Sequence, residues 1–260
     1  MHNQNVPSKE LDQIAARTWP AEETAYMGSW CLRASRGVTK RGNSVYAAGE
    51  YPPDSNWLSN IEQFYRDRSL PAVFHVAAGA PEGLDEALAQ NGYSIEAPCL
   101  VMTACSQEVE DTTLNLLLLK TWKGCEVILH DTAKEDWVHD FISMEQFPLS
   151  RKPFYDGLFE RMPEPRAFLS IRFGGETIAA GVSIVEGKWA GFVSIVVRED
   201  FRGRGISYLL MHHLTKWSLE QGASCQYLQV MAENETARKL YEKLGYKPLF
   251  EYHYRCKYDL

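Results

Sequence analysis

Residues 202–207 constrain the fold of this chain more than any other segment. They have the sequence Arg-Gly-Arg-Gly-Ile-Ser and lie between an apolar run at 193–197 and an amphipathic segment at 206–221. This order predicts a strand, a glycine-rich turn and a helix start. Amides at a helix start lack intrahelical acceptors, the helix dipole is positive there, and glycines let a phosphate approach the backbone closely. The segment therefore predicts a binding site for a phosphorylated ligand.

The spacing of the two glycines narrows the choice of ligand. A nucleotide-triphosphate loop needs four residues between its glycines and then Gly-Lys-Ser/Thr, and the dinucleotide pattern is Gly-x-Gly-x-x-Gly, so 202–207 matches neither. Arg202 and Arg204 add charge-assisted donors. On these six residues alone, a solvated, positively charged turn remains an equal alternative.

The region that follows predicts a strand and one short helix. Residues 226–230 alternate as a strand does, and in 234–246 Asn234 suits an N-cap and Gly245 a left-handed C-terminal stop. Four apolar side chains follow helical i, i+3, i+4, i+7 spacing and share one face, namely Ala237, Leu240, Tyr241 and Leu244. We therefore expect Tyr241 to point inward.

Two motifs in this region resemble those of the GNAT acetyltransferase superfamily. The first is Arg-x-x-Gly-x-Gly/Ala, here Arg202, Gly205 and Ser207, and the second is Asn-x-x-Ala-x-x-Leu-Tyr-x-x-Leu-Gly-Tyr/Phe, here 234–246. Their order and separation are also similar to that family, and the resemblance covers about residues 124–260. Ser207 departs from the Gly or Ala that is usual there. Because serine is small, we expect the turn to keep its shape.

The resemblance implies acetyl-CoA, or another acyl-CoA, as donor and co-substrate. It places the pyrophosphate on the backbone amides of the turn and the pantetheine along the preceding strand, with a side-chain contact from Asn234. The implied turn residues are Arg202, Gly203, Arg204, Gly205, Ile206 and Ser207, and the implied strand residues are Ile195, Val196 and Val197. Tyr241 matches the tyrosine that protonates the departing thiolate in the family, and a positioned acid contributes about 10²–10⁴-fold. The alternative for Tyr241 is a core aromatic on the apolar helix face.

The general base is not assigned by the sequence. Ribosomal-protein acetyltransferases of this family often carry Glu at the position of Gln229, and glutamine cannot accept the proton. The strand at 191–197 contains no carboxylate either. The remaining candidates are Glu145, Asp156, Glu160 and Glu233, each of which has a solvated surface carboxylate as its alternative.

The N-terminal region predicts an internal repeat. Strands at 43–46 and 72–76 and helices at 57–68 and 81–91, followed by Gly-Tyr, have the same order as residues 193–246. An offset of 153 residues aligns Gly92-Tyr93 with Gly245-Tyr246 and puts Leu88 in the place of Tyr241. At 51–56 two prolines and Asp54 replace the glycine turn, so this copy should not bind CoA. The alternative is an unrelated α/β domain that ends in Gly-Tyr.

The resulting domain prediction is a degenerate GNAT-like domain at 1–113 and a catalytic GNAT domain at 114–260. A polar, acidic linker is expected at 106–113, then a strand at 126–130, a helix at 135–147, and a hairpin of 168–173 with 177–186 around Gly174-Gly175. Residues 150–164 fall where the family has its second helix and its substrate-facing loop. Arg151, Tyr155 and Phe159 are then acceptor contacts, unless the segment is an ordinary packed helix.

Composition agrees with a cytoplasmic enzyme. The 260 residues are 45% hydrophobic, the longest apolar runs are short, and the start at 1–5 is polar, so we expect neither a membrane span nor a signal peptide. A net charge of −7 disfavours nucleic-acid binding. Six scattered cysteines without a Cys-x-x-Cys pair or any clustering with histidine argue against a metal site and a disulfide scaffold. The helical His212 and His213 have no nucleophile motif nearby and are expected to be structural.

Together these observations predict an α/β (α+β) protein with a mixed central sheet flanked by helices and a smaller GNAT-like half at the N-terminus. The expected activity is transfer of an acetyl or acyl group from acetyl-CoA to a primary amine of a small molecule or protein, by direct attack and without a metal. A non-catalytic acyl-CoA-binding regulator is the competing prediction. The sequence indicates neither the acceptor nor the oligomeric state.

Overall fold

The computed structural model describes residues 8–119 and 122–260. The helices of these residues are α1 (Ser8–Arg17), α2 (Trp57–Arg66), α3 (Leu84–Gln90), α4 (Ser106–Leu118), α5 (Glu135–Met144), α6 (Lys152–Arg161), α7 (Ile206–Glu220) and α8 (Glu235–Lys243). The strands are β1 (Glu23–Met27), β2 (Trp30–Ala34), β3 (Val45–Tyr46), β4 (Ala72–Val76), β5 (Ser94–Cys105), β6 (Cys125–His130), β7 (Arg166–Phe173), β8 (Glu176–Glu186), β9 (Trp189–Val197), β10 (Cys225–Met231) and β11 (Lys247–Lys257). The predicted mixed α/β class is confirmed.

The chain forms two compact units. The first comprises the described residues up to Val101 together with Met231–Glu233 and Leu249–Leu260, and the second comprises Met102–Val230 and Asn234–Pro248. The C-terminal strand therefore belongs largely to the first unit, which sequence order alone does not indicate. The boundary predicted at residue 113 stays a prediction about the two repeats.

The first unit is built on a mixed sheet. Its strands lie in the order β1-β2-β3-β4-β11-β5, and residues 94–101 of β5 belong to this unit. The β1–β2, β2–β3 and β4–β11 pairs are antiparallel, and β3 pairs with β4 in parallel. Trp30, Tyr65 and Phe74 are fully buried at the centre of its apolar core. Burying each such aromatic side chain contributes about 1.5–3 kcal/mol, so this core stabilises the unit substantially.

The repeat elements predicted in the first unit are present. The order β3, α2, β4, α3 ends in Gly92 with φ 83° and in Tyr93, whose amide donates to the Leu88 carbonyl over 3.1 Å. The second unit has the same order in β9, α7, β10 and α8. Helix α8 is followed by Gly245 with φ 93° and by Tyr246, whose amide donates to the Tyr241 backbone carbonyl over 3.0 Å. Both helices thus end in the same left-handed glycine motif. Descent of both from one ancestral half stays a prediction.

The sheet of the second unit positions the candidate site. Strands β6 to β9 form an antiparallel meander, and β10 joins β9 in parallel. The predicted hairpin is confirmed, because Gly174 and Gly175 connect β7 to β8 with φ of 60° and 85°. Helices α5 and α7 each pack on β8 and β9. The parallel β9–α7–β10 unit therefore carries the glycine turn at the carboxyl end of β9.

The predicted linker at 106–113 is wrong, because these residues begin helix α4. Ser106, Val109 and Thr113 are buried along one side of this helix, while the acidic side chains lie toward solvent. The helix packs on α7, and the Thr113 hydroxyl lies 3.1 Å from Nδ1 of His212. Small and polar residues therefore form the buried face, which a search for apolar periodicity does not detect.

Helix α6 is an ordinary packed helix. Tyr155 and Phe159 are 3% and 1% exposed and pack edge-to-face with Phe141, so they do not offer the acceptor contacts that were one of the two predictions. The Arg151 guanidinium lies 4.8 Å from the centre of the Phe147 ring. The aromatic content of this segment thus serves the core between α5 and α6.

All six cysteines are free thiols, and three of them, Cys99, Cys225 and Cys256, are buried. Among the residues that the structure describes, no helix has both the length and the apolar character that crossing a membrane requires.

Candidate active site

Strand β9 is paired along only part of its length on the side that faces β10. The parallel pairing joins 225–228 of β10 to 189–192 of β9 and ends at Leu228 and Phe192. On its other side β9 remains paired with β8 as far as Val197 opposite Ala179. Among the described residues, the edge of β9 that faces β10 therefore has no strand partner at 193–197. An extended ligand can add to this edge as a strand would.

A β-bulge marks the point at which β9 leaves β10. Ala180 faces Val196 and Val182 faces Val193, so Gly181 on β8 lies opposite two residues, Ser194 and Ile195. Ser194 has φ 54°, which is rare for a residue with a Cβ, and its buried Oγ has no hydrogen-bond partner among the described residues. A bulge leaves one residue out of the ladder and turns the strand, so backbone polar groups here are available to a ligand.

The glycine-rich turn has the geometry of an anion cradle. Gly203 and Gly205 adopt φ of 72° and 87°, and Gly205 is the residue before the first turn of α7. Amides of a first helical turn lack the i−4 acceptors that later amides of the helix have. The Tyr208 amide donates instead to the Gly205 carbonyl over 3.0 Å. The Arg202 Nε donates 3.1 Å to the Val197 carbonyl, which ties the turn to the end of β9.

The structure places the other predicted turn and strand residues in different environments. Arg202, Gly203 and Arg204 are exposed, Gly205 and Ser207 are half-buried, and Ile206 is buried with 5% exposure, so Ile206 can offer a ligand only its backbone. Of the three strand residues, Val196 is buried and Ile195 and Val197 are half-buried. The cradle therefore presents backbone and arginine donors to solvent and anchors itself through Ile206.

Helix α8 starts where β10 ends, as the sequence predicts. The Asn234 side chain accepts a 3.0 Å hydrogen bond from the Ala237 amide, which fixes the N-cap. Asn234 is exposed, and because its Oδ1 accepts the cap bond, its side-chain amide nitrogen is the group that can donate to a ligand. Because β9 and β10 are parallel, the cradle and the start of α8 both follow the carboxyl ends of their strands.

Tyr241 points inward from α8. It is 8% exposed, and its ring centre lies 5.8 Å from that of Tyr246. Burial raises the pKa of the Tyr241 phenol to about 12, so the hydroxyl keeps its proton at neutral pH. A phenol in that state can donate a proton but cannot serve as a base at neutral pH.

Four carboxylates were left as candidate bases, and the structure separates them. Asp156 accepts two hydrogen bonds from Lys152, at 3.0 and 2.9 Å, and Glu160 and Glu233 are exposed. Glu145 is half-buried at the end of α5, where burial raises its pKa and the Arg202 guanidinium lowers it by a smaller amount. The next residue, Gln146, donates 3.2 Å to Glu199 in the loop before the cradle. Glu145 is thus the desolvated carboxylate beside the β9–α7 loop.

Sequence reasoning missed the bulge and the side chains behind Tyr241. No residue type predicts a left-handed serine, so Ser194 has no sequence signal. Gln226 is fully buried, and its Oε1 accepts a 2.6 Å hydrogen bond from the Tyr246 hydroxyl. A polar residue within an otherwise apolar strand is the one signal that could have drawn attention to it.

Comparison with known families agrees with this geometry. The family model described as acetyltransferase (GNAT) family matches residues 131–246, which contain the cradle and Tyr241. A second model, described as probable histone acetyltransferase Rv0428c C-terminal, matches residues 8–145, which include the repeat predicted in the first unit. The two matches together extend over both halves of the chain.

One relative and two solved structures match most of the chain. It is 36% identical over 251 residues to the uncharacterized N-acetyltransferase YobR of Bacillus subtilis (strain 168), covering 96% of this chain and 98% of that protein. A GCN5-related N-acetyltransferase from Kribbella flavida superposes with a TM-score of 0.67 at 16% identity, over 96% of this chain and 93% of that one. A tandem GNAT protein from the clavulanic acid biosynthesis pathway gives 0.61 at 11% identity, over 77% of this chain and 68% of that one, and both share the fold. With its two motifs, its fold and its N-acetyltransferase relative in agreement, this chain belongs to the GNAT acetyltransferase family.

Proposed function

We propose that the protein transfers an acetyl group from acetyl-CoA to a primary amine of a small molecule or protein. The observation that carries the proposal is the continuity of the free 193–197 edge of β9 with the cradle at Gly203 and Gly205. The pantetheine of CoA is an extended chain with amides that can pair with a strand edge, and its pyrophosphate is an anion for helix N-terminal amides. One ligand with both features fits this arrangement.

That arrangement supports a proposed position for each group of CoA. The pantetheine amides pair with Ile195, Val196 and Val197, and the pyrophosphate accepts hydrogen bonds from the backbone of 203–207, with Arg202 and Arg204 as charged neighbours. The Asn234 amide nitrogen donates to the pantetheine. The thioester then lies beside the bulge at Ser194, where a backbone amide can donate to the carbonyl oxygen as negative charge develops on it.

The reaction proceeds by direct attack. The amine nitrogen forms a bond to the thioester carbon, the carbon–sulfur bond breaks, and the CoA thiolate takes a proton from the Tyr241 hydroxyl. The surplus proton of the attacking nitrogen then returns Tyr241 to its phenol form. Burial raises the pKa of Tyr241, so the hydroxyl still carries its proton when the thiolate is released. The acceptor must first lose its own ammonium proton.

Glu145 is our candidate for the group that receives that proton, through water. Its raised pKa makes it a stronger base than an ordinary surface carboxylate, and no side-chain hydrogen bond to another described residue occupies it. Gln229, on the part of β10 beyond its pairing with β9, cannot take this role. We further propose that the first unit does not bind CoA, since Pro52 and Pro53 remove two backbone donors from the equivalent loop.

The proposal is tested by comparing wild type with Tyr241→Phe in two assays on the same samples. Calorimetry measures CoA affinity, and release of free CoA in the presence of an amine measures turnover. We expect unchanged affinity and a fall in kcat of about tenfold or more for the variant. Equal kcat in the two proteins would contradict the acid role, and CoA binding by wild type without turnover on any amine would instead support a regulator.

A further inference from the structure

We propose that Tyr246 and Gln226 form a brace that holds the Tyr241 phenol in its working position. The inference rests on the proposed function, because it assigns both side chains as positioning residues for the acid of that reaction. Neither residue needs to touch substrate. Their effect passes through the Tyr241 ring.

The backbone fixes the first part of the brace. Gly245 ends α8 with φ 93°, and the Tyr246 amide then donates 3.0 Å to the Tyr241 carbonyl. In this type of helix end, the donor and the acceptor of that backbone hydrogen bond also have their side chains in contact. The ring centres of Tyr241 and Tyr246 accordingly lie 5.8 Å apart at an interplanar angle of 59°. Any tilt of the Tyr246 ring therefore changes the space available to Tyr241.

A buried hydrogen bond fixes the second part. The Tyr246 hydroxyl donates 2.6 Å to Oε1 of Gln226 on β10, and the Thr215 hydroxyl on α7 donates 3.4 Å to the same oxygen. Gln226 and Thr215 have no exposed surface, and Tyr246 is 2% exposed. A hydrogen bond in such surroundings is strong, and leaving either partner unpaired is costly. The Tyr246 ring is thus tied to the sheet at one end and to α8 at the other.

The first unit provides an internal comparison. Its equivalent helix end has Tyr93 in the place of Tyr246, but Leu88 in the place of Tyr241 and, by the same offset of 153, Val73 in the place of Gln226. The Tyr93 hydroxyl donates 3.0 Å to Glu62 on α2 instead of to the sheet. The helix end alone therefore does not require a polar residue on the strand. The polar strand residue, Gln226, occurs in the second unit, where the Tyr241 phenol has to be positioned.

The test is a double-mutant cycle on kcat. Tyr246→Phe keeps the ring and removes the hydroxyl, and it is made both in wild type and in Tyr241→Phe. We expect a fall in kcat of about tenfold in wild type, the scale of a misplaced catalytic group, with the KM for acetyl-CoA changed less than about twofold. In the Tyr241→Phe background we expect no further fall, because the group being positioned is already absent.

Two further variants separate positioning from loss of stability. Gln226→Met combined with Thr215→Val and Tyr246→Phe removes all three side-chain groups of this hydrogen-bonded cluster and so leaves none of them unpaired, and we expect it to fold and to show the kcat of Tyr246→Phe. Tyr65→Phe is the matched control, since it removes a buried tyrosine hydroxyl that donates 3.1 Å to the Arg33 backbone carbonyl in the first unit. It should lower the unfolding temperature comparably and leave kcat unchanged.

The possible results distinguish the brace from the acid role of Tyr241. Wild-type kcat for Tyr246→Phe, or an equal fall in both backgrounds, would overturn the brace while the acid role of Tyr241 stands. Full activity of Tyr241→Phe itself would overturn the acid role and the brace together. A fall confined to the background that retains Tyr241 supports both.

Discussion

Gly181 on β8 leaves the space that the Ile195 side chain fills on β9. A Cβ at position 181 would lie 2.7 Å from Cδ1 of Ile195 and 3.0 Å from Cδ1 of Leu214. The two residues face each other where the bulge puts two positions of β9 opposite one of β8. The absence of a side chain at 181 therefore lets β9 bend away from β10 while Ile195 stays packed.

Gly181→Ala should disturb the free edge of β9. We expect the displaced Ile195 to raise the KM for acetyl-CoA about tenfold and the crowding to cost about 1–3 kcal/mol of unfolding free energy. Steady-state kinetics and chemical denaturation measure the two effects. Gly79→Ala is the control, because its Cβ would meet Lys9 at an ordinary 3.5 Å, and it should change neither quantity. An unchanged KM for Gly181→Ala would show that pantetheine does not follow this edge.

Gly205→Val should abolish CoA binding because it changes the backbone of the cradle and puts a side chain where the phosphate binds. Gly205 has φ 87°, so a side chain there strains the backbone by about 1–2 kcal/mol and blocks the approach of a phosphate. Gly222→Val is a matched control at the other end of α7. Gly222 has φ 88°, and a Cβ added there would have no other atom within 4 Å. Both variants should lose similar stability, and calorimetry should find CoA affinity lost in the first alone. Equal affinity in both would place the phosphates elsewhere.

Glu145→Gln tests the proposed base through the pH dependence of kcat/KM. Burial raises the pKa of Glu145, so activity of the wild type should increase with pH through a midpoint above the ordinary carboxyl value of 4.5. The glutamine variant should lose that limb and about 10²-fold in rate at neutral pH. Asp156→Asn, which removes a carboxylate already paired with Lys152, should keep the wild-type profile. A pH profile unchanged in Glu145→Gln would remove it as the base.

His213 should make the protein less stable in acid. Burial, followed by the charges of His212 and Lys216, lowers the pKa of His213 to about 4, below its unfolded value of 6.5. The unfolded chain therefore binds the proton first, so the contribution of His213 is complete above pH 6.5 and is lost as pH falls toward 4. After discounting for partial exposure, the loss should be about 1–2 kcal/mol.

Denaturation of wild type and His213→Gln across that pH range measures this contribution. The stability difference between the two proteins should change between pH 6.5 and 4 and be constant above pH 7. A difference that is constant over the whole range would contradict the shifted pKa.

Patterns along the chain predicted the elements around the site because those elements have local causes. Glycine at a left-handed position, the Asn234 cap and the i, i+3, i+4, i+7 stripe of α8 act within a few residues, and each is found where it was expected. The burial of Tyr241 follows from that stripe. Its function as an acid is a prediction that came from the family motif.

The features that the sequence did not predict depend on partners far away in the chain. The bulge at Ser194 needs Gly181 on another strand, and the hydrogen bond of Tyr246 needs Gln226, twenty residues earlier. Helix α4 was mistaken for a linker because its buried face uses Ser106 and Thr113 in place of large apolar residues. Assignment of β11 to the first unit likewise depends on pairing with β4, which no local pattern encodes.

The most direct test of acetyl transfer at this site is to mix the protein with acetyl-CoA and a broad panel of amines and to identify products by mass spectrometry. We predict an acetylated amine and free CoA in equal amounts for at least one amine class, and loss of both with Gly205→Val. Acetyl-CoA that remains intact with every small amine and protein acceptor, although CoA binds, would contradict the claim that this site performs acetyl transfer.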